Sequence, residues 1–415
     1  MKSLLLDLEK GGTRPVLELL QSDAVINTVE YIRVEYWGDG NILVSDEELI
    51  TIFGIIGSLP RIRELRIEFD ELPLPAQALR NALGCPNSRL SYLALEDVRL
   101  SGTIDDFKDV ARAVRSSRAL KTVRMLRCGP AHDSRAKLDP IIVALASVPT
   151  LKDITLSSTH VDDETLGKLG ESKSLEVVSL DHMSICGGIP LGQLCRSSTI
   201  KDLKFWGMPE INDDVTFMTS ALATNQSLKM LRIRYCNLQQ ESGIQLSKMI
   251  RINSNLESIS LENMTWKDFG LPLCKSLETN KTLRSLSLSI DGKDINAKED
   301  AVQVTKGLEQ NTSLRKFRLI LRDIDGDVVR EAFAEPVMQL LQKNFTLESI
   351  YLNSSSWSLG REVEFFLALN RTRKRHLLRN ENATKGEYMN MLAAHSEDLS
   401  ITHYVLKMNP SLFQV

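Results

Sequence analysis

One hydrophobic pattern recurs from end to end of this chain: an aliphatic residue, two variable residues, an aliphatic, one variable residue and a third aliphatic. The clear copies are Leu90-Leu93-Leu95, Leu120-Val123-Met125, Leu151-Ile154-Leu156, Leu175-Val178-Leu180, Leu228-Leu231-Ile233, Leu256-Ile259-Leu261, Leu283-Leu286-Leu288 and Leu347-Ile350-Leu352. Ile62-Leu65-Ile67, Ile200-Leu203-Phe205 and Leu314-Phe317-Leu319 each differ by one substitution, and Val29-Ile32-Val34 is a weaker opening copy. The twelve copies start at 29, 62, 90, 120, 151, 175, 200, 228, 256, 283, 314 and 347, in steps of 24 to 33 residues. Most steps hold one short strand and one helix.

The second and third aliphatics of each copy alternate with variable residues, so a strand there turns them to one side for a following helix to cover. Helical spacing between copies shows in Phe217, Ala221 and Leu222 after Asp213-Asp214, and in Leu246, Met249 and Ile250. Strands pack about 4.8 Å apart and helices about 8–10 Å, so such a stack is expected to curve into a horseshoe with strands inside. The short units between Leu151 and Ile200 leave room for about one helical turn plus loops.

LxxLxL strands, helix-bearing units of about 28 residues and an N-x-S/T-L lead-in resemble ribonuclease-inhibitor-like leucine-rich repeats. The resemblance covers residues 29 to 355. It implies an α/β solenoid with parallel strands on the concave face, helices on the convex face and a protein partner. The family includes the Ran GTPase-activating protein, so the resemblance also leaves open a regulator of a small GTPase. Three residues after the last aliphatic, where the family often has Asn or Cys, stand Cys128, Cys236 and Thr159, but also Val98, Met183, Met208, Met264, Asp291, Arg322 and Ser355.

Composition agrees with a regular aliphatic core, with 42% hydrophobic residues but only 6% aromatic ones. A net charge of −3 from 51 basic and 54 acidic residues supplies no field for DNA, RNA or an anionic membrane, and neither nucleic acid nor membrane is an expected partner. No apolar run reaches the length of a membrane span, and Leu4 to Leu6 is too short for a secretory signal. A cytoplasmic monomer, possible in the nucleus through the basic run Arg371 to His376, is the expectation; a basic helix end explains the same run.

Chemistry-bearing motifs are missing from the sequence. The six cysteines form no CxxC pair, the histidines no HExxH, and neither a phosphate loop nor a nucleophile elbow occurs. The expectation is no enzyme, no cofactor and no metal. Eight Asn-x-Ser/Thr sequons suggest glycosylation, but Asn225, Asn280, Asn311 and Asn344, with Asn253, sit three residues before a strand copy. There the ability of Asn to end a helix in a left-handed conformation is the competing explanation.

Residues 1–28 read as an N-terminal cap of short amphipathic segments, and residues 356–415 as a helical C-terminal cap with helices from about Arg361, from Lys385 to Ala394 and from Leu399 to Lys407. Function then falls on the variable strand positions. Lys204, Trp206, Arg232, Arg234 and Tyr235 come from adjacent strands and have the residue types that anchor interfaces, with Asp181 and Glu262 beside them. Packing of Trp206 on a neighbouring turn, with the arginines paired to Asp181 and Glu262, is the alternative. A second group, Tyr31, Arg33, Arg66, Tyr92 and Arg124, together with Tyr36, shares the face with Glu35, Glu68 and Glu96.

Overall fold

A computed structural model describes residues 3–8, 13–37, 44–70, 72–85, 88–130, 138–159, 161–183, 188–208, 211, 215–236, 238, 240–291, 296–352, 361–371 and 385–393. They fall into two compact units, Met1–Cys236 and Asn237–Val415, a division inside the repeated region that no linker composition marks.

In the first unit the strands are β1 (Ser3–Asp7), β2 (Tyr31–Tyr36), β3 (Glu64–Phe69), β4 (Leu74–Pro75), β5 (Tyr92–Glu96), β6 (Arg99–Ser101), β7 (Thr122–Leu126), β8 (Gly129–Pro130), β9 (Asp153–Ser157), β10 (Val177–Asp181), β11 (Asp202–Trp206) and β12 (Met230–Arg234). The main sheet runs β1-β2-β3-β5-β7-β9-β10-β11-β12, and β4-β6-β8 form a short second sheet. Every neighbouring pair with a described register is parallel, with no slip: Leu203 stands opposite both Val178 and Leu231. The second unit carries β13 (Ser258–Thr265), β14 (Ser285–Asp291), β15 (Lys316–Arg322) and β16 (Ser349–Leu352), again parallel, with a bulge between Glu262 and Met264. Helices alternate with the strands, and successive helices within a unit pack on one another. Both units are leucine-rich-repeat solenoids.

All three aliphatics of all twelve copies are buried, none more than 7% exposed. The core is thus the stack of inward strand residues beneath the helices. β1 was not expected. Its Leu4 and Leu6 stand opposite Ile32 and Val34, so the segment read as an amphipathic cap opens the sheet with a strand. The short units hold helices Asp163–Gly170 and Gly188–Arg196, each of more than two turns rather than one. In the helix Val215–Thr224 the buried face is Val215, Met218, Ala221 and Leu222; Phe217 is exposed and lies against Gly192 of the preceding helix. Leu246, Met249 and Ile250 are buried as their spacing implies.

Polar side chains lock successive repeats together within each unit. Asn311, buried, donates from Nδ2 to the carbonyls of Leu277 (2.6 Å) and Asn280 (3.1 Å), and its Oδ1 accepts from the backbone N–H groups of Ser313 (2.9 Å) and Leu314 (2.7 Å). Asn225, Asn280 and Asn344 repeat this arrangement, and the hydroxyl two residues on donates to the preceding repeat: Ser227 to the Ser197 carbonyl, Ser313 to that of Asn280, Thr346 to that of Asn311. These sequons are therefore rungs of a polar ladder. The left-handed explanation fails, since Asn344 has φ −88° and none of these asparagines has a positive φ.

Left-handed backbone instead follows the strands, at Asp97, Arg127, Ser158, His182, Gly207 and Tyr235. From Asp97 to Gly207 each N–H donates to the last strand carbonyl of the next repeat, 2.6–2.9 Å away. The next side chain then turns inward. Cys128 Sγ donates to the Leu95 carbonyl, and Thr159 Oγ1 to that of Met125, which explains these small polar residues structurally.

In the second unit the helix Arg361–Arg371 packs on the helix Gly326–Lys343 and buries Val363, Phe365, Phe366 and Leu369. Asn370 extends the ladder to the carbonyls of Asn344 and Leu347. Arg371 pairs with Glu364; the rest of the basic run to His376 and the helix expected over 399–407 lie outside the described residues.

Candidate functional site

Strand alternation puts three side chains of each strand on the side of the sheet away from the helices. On β11 these are Asp202, Lys204 and Trp206, and on β12 Met230, Arg232 and Arg234. Parallel register sets Trp206 directly opposite Arg234, and the Arg234 guanidinium lies over the indole, 5.8 Å from its centroid. Tyr235 leaves the strand with φ 54°, which brings its ring within 5.5 Å of Trp206 at a 30° tilt. Trp206 is 41% and Tyr235 46% exposed, while Arg234 is half-buried. Gly207 makes this corner possible: it has φ 61°, and a Cβ there would meet the His182 ring at 2.3 Å.

The charged floor differs in one respect from the expected pairing with Asp181 and Glu262. Lys204 and Arg232 both pair with Asp202, at 3.4 and 3.7 Å. Asp202 is the third outward position of its strand. Period-two alternation carried one step before the variable positions that flank the last aliphatic reaches it, and reaches Asp153 and Met230 as well. Asp181 accepts from Ser179 Oγ at 3.0 Å, and burial holds its pKa above the ordinary aspartate value. Burial likewise raises Asp153, against the pull of Lys204 and Arg124. A concavity of about 330 Å³ opens among Arg124, Asp153, Asp181, Lys204, Arg232 and Arg234. Glu262 lies on β13 of the second unit, half-buried.

At the other end of the first unit, Arg66 lies over Tyr31 and Tyr92, 5.7 and 5.4 Å from the ring centroids, and Arg124 over Tyr92 at 5.8 Å. Arg33 bridges Glu35 and Glu68, and Arg66 pairs with Glu64. This group is an interleaved stack that satisfies its own cations. Tyr36 does not belong to it: one step out of phase, it is buried and stacks on Phe69. Nor are all variable positions open to solvent, since Ala94, Ser179 and Ser260 are buried.

Among the described residues no cluster of His, Cys, Asp and Glu has the geometry of a metal site, and no helix is long and apolar enough to cross a membrane. Burial pushes the Cys128 thiol up to about 12 and that of Cys236 to about 11, the reverse of what activates a nucleophile.

No family model and no curated protein sequence matches the chain. Solved structures similar to it include a TLR13–ssRNA13 complex, at 15% identity and a TM-score of 0.47 over 86% of this chain and 44% of that one. Another is the Rad7–Elc1 complex of yeast, at 16% identity and a TM-score of 0.45 over 71% and 72% of the two chains. The chain thus spans less than half the length of the TLR13 chain it matches.

Proposed function

We propose that this protein is a protein-binding scaffold or adaptor that uses the side of its sheet away from the helices, without catalysis, cofactor or metal. The observation that carries this reading is the Trp206–Arg234–Tyr235 corner. Two aromatic rings are each exposed over about two fifths of their surface or more, held in place by a stacked guanidinium beside a floor of mixed charge. Exposed aromatic and Arg side chains on a rigid sheet are the usual anchors of protein interfaces, since little side-chain entropy is lost when they bind. Aspartates interleaved with the cations favour a protein over a continuous polyphosphate. The helix-bearing units support placing the repeats in the ribonuclease-inhibitor-like class. The cysteines among the described residues, all free, suit a reducing compartment such as the cytoplasm.

The test is comparative affinity capture from cell extract with wild-type and Trp206→Ala baits, read by quantitative mass spectrometry. A partner held by wild type and lost with Trp206→Ala supports the reading. Identical capture profiles contradict it. A stimulated GTP-hydrolysis assay against small GTPases is expected to be blank, and acceleration by this chain would replace the scaffold reading with the GTPase-regulator one.

A further inference from the structure

Where the chain of the first unit turns from a helix into the next strand, a hydroxyl usually ties the turn to the repeat before it. The residue just ahead of the first aliphatic is Thr150, Ser174, Thr199 and Ser227 in four successive repeats, and each donates to a carbonyl of the preceding repeat at 2.6 to 2.8 Å. Two earlier repeats depart from this solution. Arg61 and Arg89 stand at the same position, both exposed, and neither side chain makes a hydrogen bond or ion pair with a described residue. Their guanidiniums hold nothing in the fold. Three more exposed cations in the same condition accompany them: Arg63 and Lys121, directly before β3 and β7, and Arg118 in the turn ahead of Lys121. Backbone hydrogen bonds set their spacing, since the Lys121 N–H donates to the Ser91 carbonyl and the Ser91 N–H to that of Arg63, both at 2.8 Å. Arg63 and Lys121 thus start strands two spacings apart, roughly 10 Å. The three turns, 60–63, 88–91 and 118–121, hold these five cations and no acidic residue, in a chain whose net charge is −3.

Further along the same edge the chain supplies its own anion: Glu176 lies between Lys152 Nζ (2.8 Å) and Lys201 Nζ (2.7 Å). At the three earlier turns no such anion is built in, so the charge there is left for a group from outside. Four of the five cations are arginines, whose forked donors match the oxygens of a phosphate or a carboxylate in pairs. A phosphorylated side chain brings a charge of about −1.5 to −2 and three acceptor oxygens, enough to engage arginines of neighbouring turns together. Two features select such a side chain over a nucleic acid. The patch is short, bounded along the edge by Glu30, which precedes β2, and by the Lys152–Glu176 pair, so a continuous phosphate backbone would run onto a carboxylate at either end. No aromatic residue occurs in the three turns for bases to stack on. We propose that the strand-start edge of the second to fourth repeats is a docking site for a phosphoserine- or phosphothreonine-bearing segment of a protein partner, separate from the Trp206 corner.

The experiment is fluorescence anisotropy of the full chain with a labelled Gly-Ser peptide carrying two phosphoserines, its unphosphorylated and Glu-substituted counterparts, and a labelled oligothymidylate of similar length. The phosphopeptide should bind with an affinity that falls as salt is raised, the Glu peptide more weakly, and the unphosphorylated peptide not at all. The double variant Arg61→Thr, Arg89→Thr supplies the hydroxyls that later repeats carry, so it should weaken phosphopeptide binding by about tenfold or more while its thermal unfolding midpoint stays at or above that of wild type. Arg118→Ala with Lys121→Ala should weaken binding in the same direction. Lys248→Ala, on a helix of the second unit, and Trp206→Ala should leave it unchanged. Failure of the phosphopeptide to bind, indifference to both double variants, equal binding of the Glu peptide, or binding of the oligonucleotide as tight as that of the phosphopeptide overturns the proposal.

Discussion

Asn311 shows most clearly how a single side chain secures the stack. It makes four hydrogen bonds to backbone groups, two within its own repeat and two to the preceding repeat, in a buried setting. Asn311→Ala leaves those groups without partners and should cost on the order of 3 kcal/mol of unfolding free energy, measured by chemical denaturation. Asn311→Asp should cost at least as much, because a carboxylate then faces two carbonyls. A loss below about 0.5 kcal/mol for either would show that water replaces the ladder. Leu261→Ala, at a fully buried inward position of β13, should cost about 2–5 kcal/mol by cavity formation. The sequence marks both positions, Leu261 through periodicity and Asn311 through its fixed distance before a strand. It does not reveal why Asn is there, because the carbonyls that its Nδ2 meets lie about 30 residues away and belong to another repeat.

Strands and helices were legible to different degrees. A strand has two faces and a period of two, so the LxxLxL copies fixed which side of β2 through β16 is core, apart from the short strands of the second sheet. The same parity places Tyr36 in the core and Asp202 on the open face. β1 escaped because only Leu4 and Leu6 of its pattern fall inside a short, edge-lying segment that also reads as amphipathic helix. Helical faces are less certain from so few residues: in Val215–Thr224 the adjacent Phe217 and Met218 compete for the inward direction, and the neighbouring helix decides between them. Close helix approach is set the same way. At Gly57, in the helix Asp46–Ser58, a Cβ would stand 2.4 Å from the Asn81 carbonyl oxygen of the next helix. Alanine is intrinsically the better helix former by about 1 kcal/mol, yet Gly57→Ala should destabilise the protein by about 1–3 kcal/mol. A raised melting temperature for this variant would show that the two helices can separate at no cost.

At the scale of the whole molecule, a repeat array must close its ends or expose the core of its last unit. In the second unit the helix Arg361–Arg371, with its buried phenylalanines and the Asn370 hydrogen bonds to the Asn344 and Leu347 carbonyls, is expected to do this for β16. Truncation before Arg361 should therefore produce aggregation, seen by light scattering, and a monomeric protein of unchanged stability would show that the helix is an appendage. A partner recovered by differential capture permits the most direct measurement of what the open face of the first unit does. Titration calorimetry should find binding weakened by about 2 kcal/mol or more in Trp206→Ala and in Arg234→Ala, with unfolding free energy changed by less than about 0.5 kcal/mol. Ser287→Ala, on the open face of the second unit, should match wild type in both. Equal affinity for all three variants, or a loss of affinity that merely follows a loss of stability, would contradict the account and make Trp206 a packing residue.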